Sequence, residues 1–398
     1  VPSTLPDGEP APVDGALPAS AIERLGERGF GVYVHVPFCA SRCGYCDFNT
    51  YTPAELGGPA PMHGYADQVL AEIALARTVL DRPAKVDTVF FGGGTPTMLP
   101  PEELGRILHG LDEAFGLAAD AEVTTEANPE SVTYESLKAL RHNGFTRISL
   151  GMQSVAPHVL ALLDRRHTPG RAAEAAQEAR AAGFDHVNLD LIYGTPGESA
   201  DDFAASLSAA VTAGVDHVSA YSLIVEDGTR LAARVRRGEI ARPDDDVAAD
   251  RYLLADTVLT GAGLDWYEVS NWAKPDGQCR HNLVYWRGGD WWGFGPGAHS
   301  HVGGVRWWNV KHPSSYGRRL ADGSSPAQAR ERLGPAERHT EDVMLGLRLS
   351  DGLSAASVGP VGLVAELVDE GLLERRDDRV VLTLRGRLLA DAVILRLL

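Results

Sequence analysis

The chain is poor in cysteine, with four in 398 residues. Four cysteines cannot build the disulfide framework of a secreted scaffold, and they fit a reducing, cytoplasmic setting. Long apolar runs are also missing, and none approaches the roughly 20 residues that a membrane-spanning helix needs. The opening VPSTLPDGEPAPVDGALP has neither the basic region nor the apolar stretch of a secretory signal. Cations are scarce as well: 37 Lys and Arg face 54 Asp and Glu, a net charge of −17. A nucleic-acid surface needs many cations against phosphate, and a bare anionic lipid surface needs them too, so both partners are disfavoured. Peripheral association with a membrane through a protein partner stays open. Otherwise the balance of 44% hydrophobic and 23% charged residues is that of an ordinary soluble protein. The length allows one large domain and a smaller one.

Three of the four cysteines fall together. Cys39, Cys43 and Cys46 stand in GVYVHVPFCASRCGYCDFNTY with the spacing C-x3-C-x2-C. Thiolates this close can hold a soft metal. Three without a fourth nearby suit an iron–sulfur cluster with one iron left open. The bland alternative is structural zinc with Cys279 as fourth ligand, but the paired C-x2-C units common in such sites are absent. The β-branched and aromatic run VYVHV places the loop at the C-terminal end of a strand, where barrels and open α/β sheets hold ligands.

The pattern then alternates. Strands are expected at 32–36, 86–91, 122–126, 147–150, 186–191 and 215–223, with amphipathic helices between them. Six such units predict a parallel sheet covered by helices. Patterning alone does not separate a doubly wound sheet from an incomplete barrel. After about residue 225 the rhythm changes. An edge strand is expected at 266–269, and residues 271–308 are rich in Trp, Gly, Asn and His. Residues 314–335 read as a polar connection with some helix. A last module of helices and a hairpin follows from about 337, similar to a winged helix. Four regions result: a tail and short helix over 1–30, a core over 31–225, an accessory region over 226–335, and a helical and hairpin module over 336–398.

The phrase Tyr33, His35, Pro37-Phe38-Cys39, Cys43 and Tyr45-Cys46-Asp47-Phe48 resembles the radical S-adenosylmethionine (SAM) superfamily. Within it the phrase resembles the branch of oxygen-independent coproporphyrinogen dehydrogenases and HemW-type heme chaperones. The resemblance implies an α/β fold, a partial (β/α)6 barrel with a C-terminal accessory α+β region. It implies that Cys39, Cys43 and Cys46 hold a [4Fe-4S] cluster whose open iron chelates SAM. An electron delivered by a donor protein then splits SAM into methionine and a 5'-deoxyadenosyl radical. Gly92-Gly93-Gly94-Thr95 matches the segment that contacts the amino end of SAM, and three glycines after a strand let backbone approach a ligand closely. Glu126, Gln153, Arg165 and Asp190 match phrases that contact SAM: an Arg can clamp a carboxylate and an Asp can accept from ribose hydroxyls. Tyr33 is expected over the adenine or methionine end, Phe48 over the cluster, and His35 either in contact or filling the barrel.

A second phrase, Cys279-Arg280-His281-Asn282-Leu283-Val284-Tyr285-Trp286, resembles the heme-chaperone branch, as does Gly293-Phe294-Gly295-Pro296-Gly297-Ala298-His299-Ser300 beyond it. Chemically His281 or Cys279 could ligate heme iron and Tyr285 and Trp286 could pack on a macrocycle, and the bland alternative is an aromatic seam where the accessory segment closes on the core; the resemblance implies a heme site with His281 the preferred iron ligand. The dehydrogenase branch carries a further cysteine two positions after the third, where this chain has Phe48, and tends to a longer N-terminal region. The resemblance therefore implies a heme chaperone that hands heme to a respiratory-chain hemoprotein. The alternatives are coproporphyrinogen III oxidation and radical SAM methyl transfer or cyclopropanation. Whether SAM is turned over stays open, as does a homodimer or a docking face built on exposed aromatics.

Overall fold

The computed structural model describes residues 7–58, 60–81, 85–165 and 168–398. Residues 1–6 of the expected tail and Pro59 of the irregular stretch after the cysteines lie outside them. Thirteen strands form one sheet. In chain order they are β1 Glu9–Pro10, β2 Phe30–Val36, β3 Val86–Gly93, β4 Leu117–Ala127, β5 Arg147–Gln153, β6 His186–Tyr193 and β7 His217–Ser222. There follow β8 Asp265–Glu268, β9 Asn271–Ala273, β10 Asp290–Phe294, β11 His299–Val302, β12 Val305–Asn309 and β13 Ala327–Arg332.

The order across the sheet is β1-β13-β12-β11-β10-β2-β3-β4-β5-β6-β7-β9-β8. The six expected strands are β2 to β7, side by side and parallel. Alternation sorts their side chains. On β2, Val32, Val34 and Val36 are buried towards the helices, while Gly31, Tyr33 and His35 face inward. The helices read from sequence supply the outer layer. Pro101–Phe115 starts with Pro in its first turn, buries Leu104, Ile107, Leu108, Leu111 and Phe115 along one stripe, and stops at Gly116 with φ 79°. Burying each large side chain contributes about 1.5–3 kcal/mol.

The region after residue 225 extends this same sheet at both edges. β9 and β8 add antiparallel beyond β7. On the other side β10 pairs in parallel with β2, in the register Trp292 opposite Val32, and β11, β12, β13 and β1 follow antiparallel. One hydrophobic core runs through all of it, from Ala21 to Ala327. Between β9 and β10, the helix Arg280–Trp286 crosses the N-terminal end of the barrel.

The C-terminal module has its own core, including Val343, Val364, Leu367, Val380 and Val393. It comprises the helices Pro335–Gly346, Val361–Asp369, Leu384–Leu388 and Ala390–Leu397 and a small sheet. That sheet joins β14 Leu353–Ser354, β15 Leu373–Arg376 and β16 Arg379–Leu382 in the order β14-β16-β15. Arg387 ties the module to the main sheet, pairing with Asp256 at 2.8 Å and lying 4.4 Å over the Trp266 ring.

Candidate functional site

The cysteine loop leaves the C-terminal end of β2 and is fastened at several points. Cys39 N–H donates to Tyr51 O at 3.1 Å, Gly44 N–H to Leu163 O at 3.0 Å, and Leu231 N–H to Gly44 O at 2.8 Å. All three thiols are partly exposed and unbridged. Burial and the neighbouring Cys46 push the Cys39 thiol up to about 11, and burial also raises Cys46. A bound cation would reverse that cost, because thiolates are the ligating form. Among the described residues, no group of three His, Cys, Asp or Glu side chains is gathered closely enough for a single metal ion. Cys279 cannot complete a zinc site with the loop. It lies buried at the opposite end of the barrel, where its thiol donates to Glu122 Oε1 at 3.6 Å.

The glycines at the C-terminal end of β3 lie against this loop. Gly94 N–H donates to Val36 O at 2.8 Å and Thr95 N–H to Phe38 O at 2.7 Å. A Cβ on Gly94 would stand 2.5 Å from Phe38 O, and Gly93 has φ +111° with the His35 ring 2.5 Å from its missing Cβ. Side chains are therefore excluded at both positions. The Thr95 hydroxyl is 4.0 Å from the Cys39 sulfur. Gly92 lies beneath Glu126, whose Oε2 accepts from Gly93 N–H at 3.0 Å.

Arg165 joins the loop to β5. Its Nη1 donates to the Cys43 sulfur at 3.5 Å and its Nη2 to Gly151 O at 2.8 Å. Its Nε is buried without a partner, so a donor is held ready at the mouth. Gln153 is buried with φ 66°, a left-handed conformation at the end of β5. Asp190 accepts from Ser149 Oγ at 2.9 Å and Asn188 Nδ2 at 2.7 Å. Burial raises its carboxyl. Burial, with Asp190 nearby, lifts Glu126 to about 7. Tyr33 donates its hydroxyl to His35 Nδ1 at 3.0 Å, because His35 Nε2 donates to Asn49 O at 2.9 Å. His35 is thus a neutral, fully buried strut, and burial holds it down at about 3. Phe48, beside the loop, is 45% exposed, and its backbone N–H reaches the Cys46 sulfur. The cysteines, Tyr33, Gly92, Gly93, Gly94, Thr95, Glu126, Gln153, Arg165 and Asp190 all gather at one mouth.

The second motif lies at the other end. His281 is 1% exposed. Its Nδ1 is 2.8 Å from Thr88 Oγ1 and its Nε2 2.7 Å from Tyr285 Oη. Its ring stacks on Phe90 at 5.2 Å. Gly31 leaves the room for it, since a Cβ there would sit 3.3 Å from the imidazole. Burial lowers His281 to about 3. Both ring nitrogens are engaged inside the protein, so in this arrangement the expected iron ligand has none to offer. Tyr285 is half-buried against His281 and Trp291. Trp286 is the member of the motif that reaches a groove on the outside.

Several buried polar residues of the strands and of the helix Tyr65–Leu80 were not singled out in the sequence. Arg147 and Glu122 form a buried ion pair at 3.7 Å near Cys279. His217 bridges Asn188 Oδ1 at 2.6 Å and Tyr267 Oη at 2.8 Å. Glu72 accepts from Gly295 N–H at 2.9 Å, Asn309 Nδ2 at 2.7 Å and Tyr316 Oη at 2.6 Å. For Glu72 the available signal was a charged residue on the apolar face of a helix.

The comparisons with known proteins agree with this geometry. Residues 33–210 match the Radical SAM superfamily and residues 333–389 the HemN C-terminal domain. A heme chaperone HemW of Mycobacterium tuberculosis is 60% identical over 371 residues, covering 93% of this chain and 95% of that one. The heme chaperone HemW of Bacillus subtilis is 31% identical over 372 residues, covering 91% and 97%. In structure the chain is similar to the coproporphyrinogen III oxidase HemN of Escherichia coli, a radical SAM enzyme. The TM-score is 0.80 at 24% identity, over 95% of this chain and 92% of that one; at that identity the likeness speaks for the fold. The chain belongs to the heme chaperone HemW family, within the radical SAM superfamily.

Proposed function

We propose that the chain is a heme chaperone. It carries a [4Fe-4S] cluster and SAM, binds heme, and delivers the heme to a respiratory-chain hemoprotein. The observation that carries the reading is the 60% identity to a HemW over 93% of the chain. Cys39, Cys43 and Cys46 are the cluster ligands. Three thiolates would leave one iron open to the amino and carboxylate groups of SAM, and a bound cluster would supply the one electron that cleaves it. The residues around the cluster bind and orient. Gly93 and Gly94 let the glycine turn pack against His35 and Phe38 and so set the Thr95 hydroxyl beside the cysteine loop near the SAM amino group, Arg165 holds the methionine carboxylate, and Glu126, Gln153 and Asp190 accept from or donate to the amino and ribose groups. Tyr33, fixed by His35, forms the floor.

A protein electron donor would supply that electron. Among the described residues no helix is long and apolar enough to cross a membrane, and the protein works from the cytoplasm, meeting its recipient at the membrane surface. The test is anaerobic. The cluster is reconstituted, heme, SAM and a reductant are added, and heme spectra are followed together with 5'-deoxyadenosine. Stable heme uptake with little SAM cleavage is expected. Multiple turnovers with coproporphyrinogen III and loss of its carboxyl groups would replace this reading with the dehydrogenase.

A further inference from the structure

Asn49 stands three residues beyond Cys46 and is 4% exposed. Its Nδ2 donates to Pro296 O and to Lys311 O, each at 3.0 Å. Both carbonyls can only accept, so they fix which end of the amide faces them. Its Oδ1 accepts from Tyr51 Oη at 3.1 Å, and its backbone carbonyl accepts from His35 Nε2 at 2.9 Å. One side chain thus fastens the segment after the third cysteine to the turn between β10 and β11 and to the residues beyond β12. Those partners lie 247 and 262 positions later in the chain.

The anchor is itself held firmly. Gly295 N–H donates to Glu72 Oε2 at 2.9 Å, and Asn309 Nδ2 donates to Glu72 Oε1 at 2.7 Å and to Gly295 O at 2.9 Å. Tyr65 Oη donates to His35 O at 2.6 Å, closing the turn onto the end of β2. A Cβ on Gly295, at φ +102°, would stand 2.5 Å from His35 O. A Cβ on Gly297, at φ +77°, would stand 2.6 Å from Asn49 Nδ2. Both glycines therefore serve a close approach to the cysteine loop.

The residues on either side of Asn49 touch the cysteines. The Phe48 N–H reaches the Cys46 sulfur, and the hydroxyl of Thr50, a residue 2% exposed, hydrogen-bonds to the Cys39 and Cys46 sulfurs. Hydrogen bonds to the sulfurs are among the features that set the potential of an iron–sulfur cluster. A donor favours the more negative, reduced form, so each such bond raises the potential. We propose that Asn49 is a positioning residue for the cluster: tied to the turn at 295–297, it holds Phe48 and Thr50 as sulfur donors and so sets the potential at which an electron is accepted. The proposal rests on the reading that Cys39, Cys43 and Cys46 are the cluster ligands. It gives the glycine turn of the accessory region a task at the cysteine mouth.

The experiment uses the full chain with its cluster reconstituted anaerobically, poised at a series of potentials and read by the EPR signal of the reduced cluster. Asn49→Asp keeps the size of the side chain but turns an acceptor towards two carbonyls, and Asn49→Ala removes the tie outright. Both are expected to move the potential to more negative values. The expected change is about tenfold in the ratio of reduced to oxidised cluster, or about 59 mV for one electron. Gly297→Ala presses on the same amide from the other side and should act in the same direction. Tyr51→Phe removes only the hydroxyl that meets Asn49 and should act least. Iron and sulfide per chain and the melting temperature are measured alongside, and loss of iron from a variant that stays folded also supports the proposal. Variants that melt earlier but keep the parent's potential would show a purely structural role, which overturns the proposal and leaves the chaperone reading standing. If the parent chain takes up no cluster, both fall.

Discussion

Arg165 and Cys43 meet across the barrel mouth, guanidinium to sulfur at 3.5 Å, while the other Nη of Arg165 donates to Gly151 O at 2.8 Å. One cation thus spans the cluster loop and the end of β5. On the proposed reading it offsets charge on a ligating thiolate, and it presents a buried, unpartnered Nε. Arg165→Lys removes the fork, and a lost charge-assisted hydrogen bond costs about 1.5–3 kcal/mol. SAM affinity measured by equilibrium dialysis should fall by about tenfold or more, with the fold intact. Gly151→Ala should act through the same residue, because its Cβ would stand 2.7 Å from Arg165 Nη2.

The cysteines divide by place. Serine at Cys39, Cys43 or Cys46 should abolish the reconstituted cluster, read as iron and sulfide per chain. Cys279→Ser should keep a full complement, because Cys279 lies buried with Glu122 at the far end of the barrel. Loss of iron in Cys279→Ser would point to a four-cysteine site.

His281 is a structural keystone on this account. His281→Ala leaves Thr88 and Tyr285 unpaired beside a cavity and should cost about 3 kcal/mol in denaturant unfolding. The pH dependence has a definite sign. The ring is held down at about 3 when folded, against an ordinary value of 6.5. Its contribution is therefore complete above pH 6.5 and is lost as pH falls towards 3. Glu268 acts oppositely: burial raises it from 4.5 to about 8, so its contribution is lost as pH rises through that span. The difference between parent and His281→Gln isolates the histidine. The parent should lose stability faster than the variant between pH 7 and pH 5; equal slopes would mean that His281 is solvated.

Arg387 joins the two cores. It pairs with Asp256, which also accepts from Trp272 Nε1 at 3.0 Å, and it covers Trp266. Arg387→Ala should destabilise the chain by about 2–4 kcal/mol. Amide exchange in residues 336–398 should speed up more than in the barrel. Uniform acceleration would mean that the module and the barrel unfold as one.

The cluster loop was legible because three cysteines and three glycines are local patterns, each bound to one strand end. The strands β2 to β7 were legible because Val, Ile and Phe recur between amphipathic helices. The strand β10 was not. Its sequence, DWWGF, lacks β-branched residues, and its partner β2 lies some 260 positions earlier in the chain, a pairing that no local pattern encodes. The strand β13, AQARER, is too polar to read as a strand. The His281 motif was legible as a motif but not by location. That Thr88, Phe90 and Tyr285 would enclose it depends on how the sheet curls, and the alternation of residues along a strand does not say which end of a barrel a distant helix will close.

The most direct measurement is of heme transfer. The reconstituted protein is loaded with one hemin and mixed anaerobically with membranes holding a heme-free respiratory hemoprotein, and heme is followed in both partners. The account predicts that heme leaves the chaperone and appears in the recipient faster than free hemin is captured, and that Cys43→Ser, which lacks the cluster, still holds heme but delivers it poorly. Heme that stays on the protein, or reaches the recipient no faster than free hemin, would contradict it.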